Sequence, residues 1–204
     1  MISSASIKER LRPSLFTLAA AVAAILLVTQ AGTRAGLHPS PTQDAFKVTT
    51  VFLVRHAEKA DAPREDPPLS EPGKLRAQEL ARMLGGTGIK NIYTSQFLRT
   101  RQTAEPLAEQ LGVTINSLPL SMSKTNPREV SNESIAEIVA KINEHAGETA
   151  LVVGHSNTVP EVIRMLGGDV VPKIDEKVFD DFFVVTVYAK GKARVVQLKY
   201  FPLP

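Results

Sequence analysis

The chain has 204 residues, 43% hydrophobic and 22% charged, a globular composition with length enough for one domain and a full core. It contains no cysteine, which excludes disulfides, thiolate-bound metals, a thiol nucleophile and a lipidated N-terminal cysteine. The net charge of +3 is local: residues 1–36 carry Lys8, Arg10, Arg12 and Arg34 against Glu9, and the remainder is neutral. The basic balance is therefore no argument for nucleic-acid binding, and none is expected.

Lys8, Arg10 and Arg12 precede an uncharged apolar stretch from Leu15 to Val28, followed by small residues such as Ala31 and Ala35. Basic, apolar, small is the order of a secretory signal, with Thr29-Gln30-Ala31 as a cleavage site. The alternative is an uncleaved anchor, since the 21 residues from Pro13 to Thr33 carry no charge and are long enough to span a bilayer. Either reading exports the rest of the chain to the periplasm or the exterior, free or held at the inner membrane by a retained anchor, with no other membrane contact. Residues 1–36 are thus a signal peptide or anchor, residues 37–48 (His38, Pro39, Pro41) a linker, and residues 49–204 the functional domain.

Within that domain, Val51 to Val54 is a short apolar run ending in Arg55-His56, which reads as a buried strand with polar side chains at its C-terminal edge. A loop rich in Pro and charge follows, Ala60 to Leu69. Ser70 caps a helix with Pro72 in its first turn; Ala77, Leu80, Ala81 and Leu84 form one apolar face, and Gly85-Gly86 ends it. Ile89 to Tyr93 is a second strand leading into Thr94-Ser95. The next helix is predicted from Phe97 to Gln110, with a kink or break at Pro106. Val113 to Ile115 is a third strand, and residues 117–131 form a loop over the site. Ile135, Ile138, Val139 and Ile142 mark a further helix, which His145 closes.

Ala150 to Val153 is another apolar strand, ending in Gly154-His155-Ser156. Ser156 or Asn157 is expected to cap the helix with Val159, Val162, Ile163 and Leu166 on its core face. Phe182 to Tyr188 and Arg194 to Tyr200 alternate around Lys190-Gly191-Lys192 as a closing hairpin. Strands alternating with helices predict a three-layer α/β/α sandwich on a mostly parallel central sheet.

Parallel neighbouring strands would bring His56 and His155 together at one sheet edge, where open α/β sheets place their active sites. Arg55 adjoins the first histidine, and Arg99 lies just past a third strand end. Two guanidinium forks and two imidazoles suit a tetrahedral dianion such as a phosphate. The helix start after His155 adds backbone N–H donors. A His-His-Glu metal site is disfavoured by arginine in the same pocket, and no metal or cofactor is expected.

These residues carry a resemblance. Arg55-His56-Ala57-Glu58 resembles the Arg-His-Gly signature of the histidine phosphatase superfamily, the fold shared with cofactor-dependent phosphoglycerate mutases. Leu69-Ser70-Glu71-Pro72-Gly73 is similar to its Leu-Thr-Glu-x-Gly helix start, Ser95 through Thr103 to its Ser-x-x-x-Arg segment, and Gly154-His155-Ser156-Asn157 to its second-histidine motif. The four occur in family order over residues 49–166, and Ala57 in place of Gly is the clear departure. Ser156 stands where the phytase and acid-phosphatase branch has Asp, so the chain resembles the phosphoglycerate mutase-like branch 1, among its short members.

The resemblance implies a metal-independent phosphomonoester hydrolase. His56 attacks phosphorus and becomes a phosphohistidine, and Arg55, Arg99 and a protonated His155 hold the equatorial oxygens, with Ser156 also binding substrate. The proton donor is left open among Glu129, Glu133 and Glu58, with Asp61 a lesser candidate and Glu58 also readable as the structural partner of a cation. The substrate class is a small-molecule, glycan or lipid phosphate ester outside the cytoplasm. The alternative is a weak or inactive member that binds a phosphorylated ligand or partner. Mutase activity would need a longer insertion than the one between Thr103 and Val153.

Overall fold

The computed structural model describes residues 47–126 and 129–201. The leader and the linker up to Phe46 lie outside the described residues, as do Pro127 and Arg128 of the site loop. Among the described residues no helix is long and apolar enough to cross a membrane.

Six strands and four helices are described: β1 (Thr49–Arg55), α1 (Glu71–Leu84), β2 (Ile89–Thr94), α2 (Leu98–Leu111), β3 (Ile115–Ser117), α3 (Asn132–Glu144), β4 (Thr149–Gly154), α4 (Thr158–Met165), β5 (Asp181–Ala189) and β6 (Lys192–Lys199). The strands form one sheet in the order β3-β2-β4-β1-β5-β6. The first four run parallel, while β5 and β6 pair antiparallel to their neighbours. Alternation along the strands separates two cores. Val51, Leu53, Val152 and Phe183 face α3 and α4, whereas Val54, Leu151, Val153 and Phe182 face α1 and α2. The result is the α/β/α sandwich expected, with a mixed sheet.

Local chemistry explains the helix boundaries. Ser70 Oγ accepts from Gly73 N at 3.3 Å, and Pro72 sits in the first turn of α1, where no intrahelical partner is lost. Three expectations need correction. Helix α2 continues through Pro106 rather than breaking, because Ala104, Leu107 and Ala108 are buried on both sides of it and one missing N–H does not outweigh that packing. Strand β3 begins at Ile115, paired with Ile92, so Val113 and Thr114 belong to the turn before it. Neither Ser156 nor Asn157 caps α4 through its side chain; Thr158 Oγ1 instead accepts from His155 N at 2.7 Å.

Gly73 shows how closely α1 approaches the segment after β1. The Glu58 carbonyl accepts from Ser70 N at 2.9 Å, and a Cβ on Gly73 would sit well inside van der Waals contact of that same oxygen. Gly73→Ala must push the helix start away from Glu58 and should cost about 1–3 kcal/mol, as overpacking does. Denaturant unfolding checks this, and an unchanged midpoint would contradict it.

Candidate active site

The pairing of β1 with β4 builds the site. Arg55 lies opposite Gly154 in the parallel register, and His56 N donates to Gly154 O at 2.9 Å, extending the ladder past the strand end. His56 and His155 therefore leave adjacent strands at the same level, and their rings meet edge to face with centroids 5.3 Å apart. Arg99 reaches the same edge from the first turn of α2.

Each histidine is held by its surroundings. His56 Nδ1 lies 2.8 Å from Ala57 O, so the proton sits on Nδ1 and donates to that carbonyl, leaving the Nε2 lone pair free. Ala57 N donates to Thr103 Oγ1 at 2.9 Å, and Thr103 Oγ1 donates to Arg99 O at 2.7 Å, tying the His56 loop to α2. The Ala57 side chain is fully buried in a small cluster with Leu69 and Ala77, which accounts for the methyl group there. His155 Nε2 is 2.9 Å from Ser95 Oγ, which also bonds Thr100 Oγ1 at 2.9 Å.

Two aromatic rings organise the cations. The Arg55 guanidinium lies over Phe179 at 4.2 Å, and Arg99 over Phe97 at 4.4 Å. Phe97 also meets His155 edge-on at 5.5 Å, and Phe179 lies 6.1 Å from His56. Arg55 donates through Nη1 to the carbonyls of Asp175 (2.8 Å) and Val178 (3.1 Å), and through Nη2 to Glu176 Oε2 (3.0 Å). Its Nε is buried with no partner among the described residues. Arg99 lies 3.7 Å from Asp66, whose carboxylate caps α2 by accepting from Leu98 N at 3.0 and 3.2 Å. These groups open into a cavity of about 510 Å³, edged by Lys59, Arg64, Met122, Ser156 and Lys173.

Desolvation, opposed by the bond to Ala57 and reinforced by Arg55, Arg99 and Lys59, pushes His56 down to about 3. Desolvation together with His56, Arg99 and Arg55 does the same for His155, also to about 3. Both rings are therefore held neutral at pH 7. The expectation of a protonated His155 is not met here: burial first, then His56, Arg99 and Arg55, disfavour the charged ring.

The sign for stability follows directly. Between pH 6.5 and 5 the unfolded chain binds protons at these rings that the folded chain refuses. Stability should fall as pH drops through that window, by up to about 1.4 kcal/mol per pH unit for each ring. Denaturant melts across it test this, and His56→Ala should show a shallower slope; identical slopes would contradict the assignment.

The remaining sequence candidates are placed as follows. Ser156 lines the cavity, and its hydroxyl donates to Glu176 Oε1 at 3.0 Å. Glu58 points away from the histidines into an ion pair with Arg76, Oε1 accepting from Nη2 at 2.7 Å. Glu129 lines a neighbouring cavity of about 540 Å³ with Asn157 and Lys173, and Glu133 lies on another surface hollow beside Ser131. Asp61 is exposed on the loop after β1 and is not among the residues lining the histidine cavity. The carboxylate that does reach the cavity beside Arg55 is Glu176, which sequence reasoning missed along with Phe179. Both lie in the aperiodic stretch between α4 and β5, whose one signal is its cluster of charges.

Residues 51–120 match the histidine phosphatase superfamily (branch 1). The chain is 38% identical over 68 residues to a probable phosphoglycerate mutase GpmB of Cronobacter sakazakii, covering 30% of this chain and 32% of that protein. The chain thus spans about a third of the length of the curated relatives it matches. Among solved structures, the protein histidine phosphatase SixA complexed with tungstate superposes with a TM-score of 0.58 at 23% identity, covering 74% of this chain and 96% of that one. Phosphoglycerate mutase from Bacillus anthracis superposes with a TM-score of 0.57 at 19% identity, covering 76% and 94%. At such identities the superpositions speak for the fold. The site and the fold define a phosphoglycerate mutase-like α/β protein. The match to the histidine phosphatase superfamily covers residues 51–120, and the superpositions show a phosphoglycerate mutase-like fold.

Proposed function

We propose that this protein is a metal-independent phosphomonoester hydrolase acting through a phosphohistidine on His56, on a substrate outside the cytoplasm. The observation that carries the reading is the neutral His56 ring, held by Nδ1 with Nε2 free, between Arg55 and Arg99 and against His155. His56 Nε2 attacks phosphorus; the N–P bond forms as the ester P–O bond breaks, and the leaving oxygen departs with the bonding pair and takes a proton from solvent to become the alcohol. Water then attacks phosphorus, the N–P bond breaks, and inorganic phosphate and the neutral imidazole are released.

Arg99 and Arg55 line the cavity where charge spreads over the equatorial oxygens. A bound dianion would also offset the positive field that holds His155 neutral, letting that ring donate to a phosphate oxygen. These cations supply the charge neutralisation that a metal gives elsewhere. Export is supported by the basic, apolar, small order of the first 36 residues.

The test is turnover of a general aryl phosphate by the full chain, with and without chelator. Undiminished turnover in chelator, together with an acid-labile phosphoryl group trapped on His56, is expected. Chelator-sensitive turnover without a trapped phosphoenzyme would overturn the reading. Amino-terminal sequencing of the protein recovered from outside the cytoplasm separates cleavage after Ala31 from a retained anchor.

A further inference from the structure

The cavity at His56 holds more positive charge than one phosphate group uses. Arg55, Lys59, Arg64, Arg99 and Lys173 line it, against the carboxylates of Glu65 and Glu176. Three of the five cations have acidic neighbours: Arg55 at 3.0 Å and Lys173 at 3.9 Å from Glu176, and Arg99 at 3.7 Å from Asp66. Lys59 and Arg64 are exposed and belong to no ion pair among the described residues. The two catalytic guanidinium groups lie at the floor, and these two unmatched cations at the mouth.

The segment that carries them is tied down. Lys59 bridges to Leu69, Ala60 N donates to Pro68 O at 2.8 Å, and Leu69 N donates to Gln102 Oε1 at 2.8 Å. Near its far end, the Asp66 carboxylate clamps the segment to the start of α2. The Lys59 charge also reaches the floor, where it contributes to keeping His56 deprotonated. Two like charges fixed at one cavity mouth without partners form a standing attraction for an anion beyond the phosphoryl group.

We propose that the alcohol portion of the substrate bears an anionic group of its own, a carboxylate or a second phosphate, held by Lys59 and Arg64 while the phosphoryl group lies at His56. This rests on the hydrolase reading and narrows it: esters of neutral alcohols are poor substrates.

Binding of non-hydrolysable phosphonates to the full chain tests this independently of turnover. Calorimetry would compare benzylphosphonate with 4-carboxybenzylphosphonate and 1,4-xylylene bisphosphonate, in the natural protein and in the Lys59→Ala, Arg64→Ala double variant. The charged ligands should bind about tenfold or more tightly than benzylphosphonate, as a charge-assisted hydrogen bond provides, and the double variant should bring that ratio towards one. The tighter of the two charged ligands identifies carboxylate or phosphate as the second group. Equal affinity for all three in the natural protein, or a preference that survives the double variant, overturns the proposal. Turnover of 4-carboxyphenyl phosphate on the same samples reports separately on the hydrolase reading: its absence beside an intact charge preference would sink that reading alone.

Discussion

His56→Ala is expected to abolish phosphatase turnover, by about 10⁴-fold or more, as loss of a covalent nucleophile does. No other group is placed to substitute for it: His155 Nε2 is engaged by Ser95, and the cavity offers no thiol. The fold should survive. The ring makes one hydrogen bond to its own chain neighbour, and its removal also removes a neutral group that resists protonation in acid. Two arginines two residues apart provide the comparison. Arg99→Ala should lower kcat by about 10²- to 10³-fold, the scale of losing one preorganised donor to the transition state. Arg101, exposed on α2 and outside the cavity, should tolerate alanine within about threefold in kcat/KM, since surface changes stay within about 0.5 kcal/mol. Steady-state kinetics on the three variants decides this. Full activity in His56→Ala would remove the phosphohistidine from the mechanism.

Arg76→Ala is expected to be the most damaging change to stability away from the catalytic groups. Arg76 is buried and closes a clasp of three chain segments. Its Nε and Nη2 take both oxygens of Glu58 at 2.7 to 3.1 Å, and its Nη1 donates to the carbonyls of Tyr200 (3.2 Å) and Phe201 (2.7 Å). Both C-terminal rings also lie within 6 Å of the guanidinium. Truncation leaves a largely enclosed carboxylate and two carbonyls unmatched, which should cost about 3–5 kcal/mol. At this chain length that corresponds to roughly 10 °C in Tm. Glu58 stands two residues after His56, so the loss should also slow turnover. Adding Glu58→Gln to Arg76→Ala should recover part of the stability by removing the orphaned charge. Thermal melts of the single and double variants check both points, and equal melting temperatures for natural and Arg76→Ala proteins would refute the clasp.

Short-range physics made much of this protein legible in its sequence. The apolar runs Val51 to Val54 and Ala150 to Val153 read as buried strands, and the Ser70 cap with Pro72 and the face Ala77-Leu80-Ala81-Leu84 read as α1, because such patterns follow the element that buries them. His56 and His155 were visible as polar residues at the ends of apolar strands, and the β1–β4 pairing sets those ends side by side. Tertiary structure decided what distance along the chain conceals. Glu58 became the partner of Arg76 rather than an acid at the histidines, because α1 folds back over the segment that follows His56. Glu176 and Phe179 entered the site from an aperiodic stretch that no pattern marks, drawn there by carbonyls and a carboxylate that bind Arg55. The charge state of His155 could not be read from its neighbours in sequence, since desolvation and the fields of Arg55 and Arg99 arise only once the chain has brought them together. Residue type and period determine elements and candidate chemistry; protonation and pairing depend on distances that only the fold sets.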